Sequence, residues 1–155
     1  MIVKSRSHTV RRLRMADLNR ILEIERASFG DEAYDRNLFA ELFGECGRLF
    51  LVAAARPGIR AYMVTATAVR RSTLSAELVS VAVAPACRGR GIASALMRST
   101  LRRLRLRRVR QLTLAVRVSN RHAQALYAKF GFARLRRVRR YYEDGEDALV
   151  LRKPL

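Results

Sequence analysis

A chain of 155 residues that is 50% hydrophobic can bury a core as one domain, which excludes wholesale disorder. Its 32 Lys and Arg against 13 Asp and Glu give a net charge of +19, which suits anionic partners and disfavours strongly cationic substrates such as polyamines. Cys46, Cys87, His8 and His122 are too scattered for a zinc site, a redox pair or a metal cluster, so no metal is expected. No apolar run is long enough to span a membrane, and the first eight residues lack the apolar stretch of a signal peptide. The expectation is a cytoplasmic protein with no membrane partner, in which residues 1–8 form a flexible lead-in to a single domain over 1–155.

Thr9 to Arg14 reads as a first strand. Asp17 is a candidate cap for a helix whose apolar stripe is Leu18, Ile21, Leu22 and Ile24, broken at Gly30-Asp31. Asp35 is a second candidate cap, before Leu38, Phe39, Leu42 and Phe43. Leu49 to Ala55 and Ile59 to Val69 are strands joined by Arg56-Pro57-Gly58, and Leu74 to Val83 is another. The next helix sets Ala93, Leu96, Met97, Thr100, Leu101 and Leu104 on one face and Arg98, Arg102 and Arg105 opposite. A strand over Gln111 to Val118 leads to a helix over Asn120 to Phe130, closed by Gly131. Arg134 to Tyr142 and Glu146 to Leu151 read as a final hairpin about Asp144-Gly145. The order βααβββαβαββ predicts an α/β (α+β) fold, a mixed sheet of about seven strands flanked by about four helices.

Between the strand ending at Val83 and the next helix lies Ala84-Pro85-Ala86-Cys87-Arg88-Gly89-Arg90-Gly91-Ile92-Ala93. A helix that begins in this way points unpaired N–H groups and the positive end of its dipole at one spot, where a diphosphate fits. Glycine at 89 and 91 lets the backbone approach phosphate with no Cβ between. The turn is neither a Walker loop, lacking Gly-Lys-Ser/Thr, nor a dinucleotide fingerprint. An ordinary strand–turn–helix connection remains the alternative reading.

Strand, Arg-x-x-Gly-x-Ala and helix together resemble the coenzyme A pyrophosphate loop of the GNAT acetyltransferase superfamily. Leu114 to Asn120, with Ala125-Leu126-Tyr127 and Gly131-Phe132, is similar to the second half of bacterial ribosomal-protein N-terminal alanine acetyltransferases. Tyr141 to Ala148 resembles the tyrosine-rich hairpin these share with archaeal and eukaryotic N-terminal acetyltransferase subunits. The resemblance implies acetyl-CoA as cofactor, held by the backbone of Val81, Ala82 and Val83 along the pantetheine arm. It implies a pyrophosphate site at Gly89, Arg90, Gly91, Ile92, Ala93 and Ser94, with Arg88 shaping the loop. Asn120 would cap its helix and hydrogen-bond the cofactor arm, and Tyr127 would protonate the departing thiolate. Phe29, Tyr34, Tyr141 and Tyr142 are candidates for the acceptor groove; adjacent tyrosines on a strand would present at most one to it.

The resemblance departs at Ala115, where the bacterial enzymes carry a glutamate base. Glu77, in a strand that resembles the glutamate-bearing strand of histone-type GNAT enzymes, is the substitute; a strand-end glutamate facing arginine is the alternative. An α-amine is roughly a tenth neutral at pH 7, whereas lysine is neutral at well under about one part in a thousand. A missing base therefore tilts the acceptor toward a protein or peptide N-terminus, possible ribosomal proteins included. The rival readings are an acetyltransferase for lysine or a small amine, and a cofactor-binding module docked on RNA or the ribosome with little catalysis. The arginines at 98, 102, 105, 107 and 108, and at 134, 136, 137, 139 and 140, are solvated faces or a contact for such a polyanion.

Overall fold

The computed structural model describes residues 8–56 and 58–155. The strands are β1 (Thr9–Arg12), β2 (Phe50–Ala55), β3 (Gly58–Arg70), β4 (Thr73–Val83), β5 (Gln111–Arg117), β6 (Ala133–Val138) and β7 (Ala148–Pro154). The helices are α1 (Leu18–Phe29), α2 (Arg36–Cys46), α3 (Ile92–Leu106) and α4 (Arg121–Lys129). Seven strands and four helices match the expected mixed sheet; within it the strands lie in the order β1-β2-β3-β4-β5-β7-β6, with the last strand inserted between β5 and β6. Of the segment expected to be flexible, only His8 lies among the described residues. The residues fall into two compact groups, 8–66 with 79–103 and 67–78 with 104–155.

In the first group β1 and β3 both run antiparallel to β2, with an irregularity between Ala53 and Ala54. The α1 stripe buries Leu18, Ile21 and Ile24, and α2 buries Phe39, Leu42 and Cys46. Phe39, Phe50 and Tyr62 pack ring to ring, with centroids 5.7 to 6.1 Å apart. Each such buried ring contributes about 2–3 kcal/mol of transfer free energy, so this cluster anchors α2 to the strands. Leu96 and Met97 of α3 are fully buried while Arg98 and Arg102 stay exposed, the division that helical period demands.

Asp35 caps α2 as expected, its carboxylate accepting from the Leu38 N–H at 2.9 Å. Asp17 does not serve α1 in that way. Its carboxylate accepts from Arg11 at 2.7 and 3.0 Å and from the Arg14 N–H at 2.8 Å. It closes the short 3-10 turn Met15–Asp17 instead, which also ends β1 two residues earlier than the sequence suggests. The Arg11 hydrogen bond holds the Asp17 carboxyl below its ordinary range.

In the second group Ala76 and Glu77 of β4 pair in parallel with Leu112 and Thr113 of β5, the connection being the long excursion through α3. β5 alternates buried Leu112, Leu114 and Val116 with half-buried residues and runs antiparallel to β7. β6 closes the edge with Arg134, Arg136 and Arg137 exposed, charges that discourage pairing with another strand. The final hairpin differs from its expectation. Its strands end at Val138 and restart at Ala148, leaving 139–147 as a loop. Asp147 organises that loop, accepting from the Arg140 N–H at 3.0 Å and Arg137 Nε at 2.7 Å. No helix among the described residues is long and apolar enough to cross a membrane.

Candidate active site

The glycine turn belongs to the first group. β4 delivers Val81 and Val83 half-buried and Ala82 buried, and the Ala84 N–H donates to the Arg60 carbonyl at 2.7 Å. A 3-10 turn over Pro85–Cys87 follows, and the chain then passes Gly89 and Gly91 at φ of 76° and 75°. These are conformations that a Cβ disfavours, so the turn itself favours glycine at both positions. A Cβ built at either position meets nothing within 4 Å. The space above the turn is open, as a cradle for phosphate requires.

Ile92 and Ser94 turn their side chains into the core, so α3 offers a ligand its backbone N–H groups there rather than the serine hydroxyl. No acidic residue lies in the first turn of α3 to compete for the positive end of the dipole. Arg90 is exposed. Arg88 reaches back, Nε donating to the Val83 carbonyl at 3.1 Å and Nη2 to Ser28 Oγ at 3.2 Å. It ties the turn to α1. These features leave open backbone N–H groups with no competing acid at the start of α3, an arrangement that fits a diphosphate.

The segment after α1 bends at Gly30 (φ 55°) and leaves Phe29 and Tyr34 exposed. Beneath it lies a residue that sequence reasoning missed. Glu25 is 2% exposed, accepts from the Tyr34 N–H at 3.1 Å and receives the Tyr62 hydroxyl, which is 3.0 Å from Ser80 Oγ. Burial pushes its carboxyl up to about 7, against the lowering effect of the Tyr34 and Ser80 hydrogen bonds. The signal was present: Glu25 stands four residues after Ile21, inside the apolar stripe.

In the second group the Asn120 side chain caps α4, accepting from the Ala123 N–H at 3.1 Å. Gly131 (φ 86°) ends the helix, with the Phe132 N–H returning to the Tyr127 carbonyl at 3.1 Å. Tyr127 is 5% exposed, its ring edge-on to Phe132, and its hydroxyl donates to no described residue. Burial, and then the nearby Tyr142, push the Tyr127 phenol up to about 12. Glu77 is exposed on β4, and Ala115 is half-buried on β5 opposite Val150.

Tyr141 and Tyr142 do not alternate on a strand as expected; both belong to the 139–147 loop, with rings 4.9 Å apart. Tyr141 is exposed, while Tyr142 lies under the Arg117 guanidinium at 3.9 Å. Arg117 also donates to Asp144 at 2.9 Å and Glu146 at 3.0 Å, and Glu146 accepts from the Ser119 N–H at 2.8 Å. One arginine thus holds the loop to the end of β5. Among the described residues no group of acidic, histidine or cysteine side chains could hold a metal ion.

Residues 16–132 match the family model described as "Acetyltransferase (GNAT) family". The chain belongs to the GNAT acetyltransferase family. It is therefore an acyltransferase, and acetyl-CoA is its acetyl donor. The N-alpha-acetyltransferase of Saccharolobus solfataricus is 32% identical, the match covering 98% of this chain and 96% of that one. The solved ribosomal-protein-S18-alanine N-acetyltransferase from Escherichia coli superposes with a TM-score of 0.80 at 29% identity, over 96% of this chain and 94% of that one. Ard1 from Thermoplasma volcanium gives 0.87 at 25% identity, over 96% and 97%.

Proposed function

We propose that this acetyltransferase acts, as a single cytoplasmic domain, on the N-terminal α-amine of protein chains. The observation that carries the reading is the near full-length similarity to an N-alpha-acetyltransferase, at 32% identity. The open glycine cradle ahead of α3 supports the donor side. The cofactor supplies an acetyl group activated as a thioester.

The backbone of Val81 to Val83 would hold the pantetheine arm, and Gly89 to Ser94 would hold the pyrophosphate. Asn120, beyond its cap, hydrogen-bonds the arm. The amine attacks the thioester carbonyl directly, so no enzyme nucleophile is needed; alignment of the two partners and backbone N–H donors supply much of the rate. Glu77 takes the amine proton through water. Tyr127, with its phenol raised to about 12, remains protonated throughout and stabilises the developing thiolate by donating a hydrogen bond. Phe29 and Tyr34 in the first group, and Tyr141 and Tyr142 in the second, are the residues proposed for acceptor binding.

The test is incubation with acetyl-CoA and a library of unblocked peptides, with acetylated positions read by mass spectrometry. Modification confined to N-terminal amines is expected, and it names the preferred first residues. Modification only at lysine, or none, overturns the reading. The exposed arginines of β6 support an additional contact with RNA or a ribosomal surface. RNA retention that falls steeply and log-linearly with salt is the expected result, and salt-insensitive or absent retention refutes it.

A further inference from the structure

Glu25 joins three parts of the first group through one carboxylate. Oε1 accepts the backbone N–H of Tyr34, on the segment between α1 and α2; Oε2 takes the hydroxyl of Tyr62 on β3; and Tyr62 is linked to Ser80 on β4, one residue before Val81. We propose that Glu25 is a positioning residue that pins the acceptor-side segment 29–35 against the strand carrying the acetyl donor, and that its protonation sets how firmly that segment is held. The donor and acceptor assignments rest on the functional reading above; the pinning itself does not.

The hydrogen-bond inventory supports two states of the same geometry. With the carboxylate ionised, Tyr62 donates to Glu25 and Ser80 donates to Tyr62. With the carboxyl protonated, Glu25 donates to Tyr62, Tyr62 donates to Ser80, and Oε1 still accepts from Tyr34. In both states each carboxyl oxygen keeps its partner and the Tyr62 hydroxyl keeps both of its neighbours. The groups facing the carboxyl are Tyr62 from β3, Ser80 from β4 and the Tyr34 amide; Arg36 and Arg88, which reach α1 from other segments, bond Asn19 and Ser28 instead.

The sign of the pH effect follows from linkage. The carboxyl has its raised value while the segment covers it and its ordinary, lower value once an opening hydrates it. The closed form therefore holds the proton more tightly, and raising pH through the neutral range favours opening. Between about pH 6 and about pH 8 the population of the open form should rise about tenfold.

Amide hydrogen exchange of the peptide covering 29–34, corrected for intrinsic rates, measures this without any turnover. Wild-type protection is expected to fall about tenfold over that range. Glu25→Gln, whose amide reproduces the donor and acceptor of the protonated acid, should keep the higher protection at both pH values. Tyr62→Phe keeps the ring among Phe39 and Phe50 but removes a donor to the ionised form. It should move the fall to higher pH, a shift that a merely structural role would not produce. Wild-type protection that does not change with pH, or an unchanged midpoint in both variants, overturns the proposal. A parallel kinetic series should show the peptide KM, but not the acetyl-CoA KM, losing its dependence on Glu25 ionisation in Glu25→Gln. Peptide turnover that is absent while the exchange pattern holds overturns the functional reading alone.

Discussion

Replacing Tyr127 with phenylalanine should lower kcat for peptide acetylation by about a hundredfold or more, the range set by losing one positioned proton or hydrogen-bond donor. The ring would stay against Phe132, and the hydroxyl it loses donates to no described residue, so folding stability should change little. The KM values for both substrates should hold, because the lost bond forms only as charge builds on the sulfur. Because the phenol is raised to about 12, its own ionisation lies above any working pH, and no alkaline limb of the wild-type profile should be traceable to it. Glu77→Gln should act differently, lowering kcat/KM for the peptide while leaving the cofactor KM intact. Steady-state kinetics across pH, with unfolding temperatures as the control, separate the two. A Tyr127→Phe enzyme with wild-type kcat would remove this side chain from the chemistry.

Gly91→Ala carries the second large effect. At φ of 75° an alanine costs about 1–2 kcal/mol in backbone strain, but its Cβ would strike nothing in the protein. The structural penalty is therefore modest. The same methyl stands where phosphate must come close, and losing two charge-assisted backbone hydrogen bonds at about 1.5 kcal/mol each weakens binding about a hundredfold. The expected result is a KM for acetyl-CoA raised about a hundredfold, with a loss of stability of only about 1–2 kcal/mol by denaturant unfolding. Affinity that falls no further than stability would make the turn a plain connection between β4 and α3.

The two predictions draw on different kinds of legibility. The glycine turn was readable because its demands are local: two left-handed residues, an adjoining helix start and no competing acid. Asn120 and Asp35 were readable as caps for the same reason, each bonding an N–H three residues ahead. Asp17 looked the same in sequence but was claimed by Arg11, six residues earlier, which reaches it at 2.7 Å across the turn that joins β1 to α1.

Glu25 shows the other limit. Its position in the apolar stripe of α1 is visible in the chain, but a glutamate there reads as an interruption until Tyr34, Tyr62 and Ser80 supply its partners. The tyrosine pair was misjudged because strand alternation was applied to residues that Asp147 and Arg117 gather into a loop.

The sequence by itself determined the order of the elements, the helix faces, the glycine turn and the family, since period, capping and φ preference act over a few residues. Only the tertiary structure decided which charges are buried, which tyrosine lies under Arg117 and why Glu25 titrates near neutrality. Burial and partnership are set by segments far apart in the chain, and a pKa responds to the environment that those segments create together.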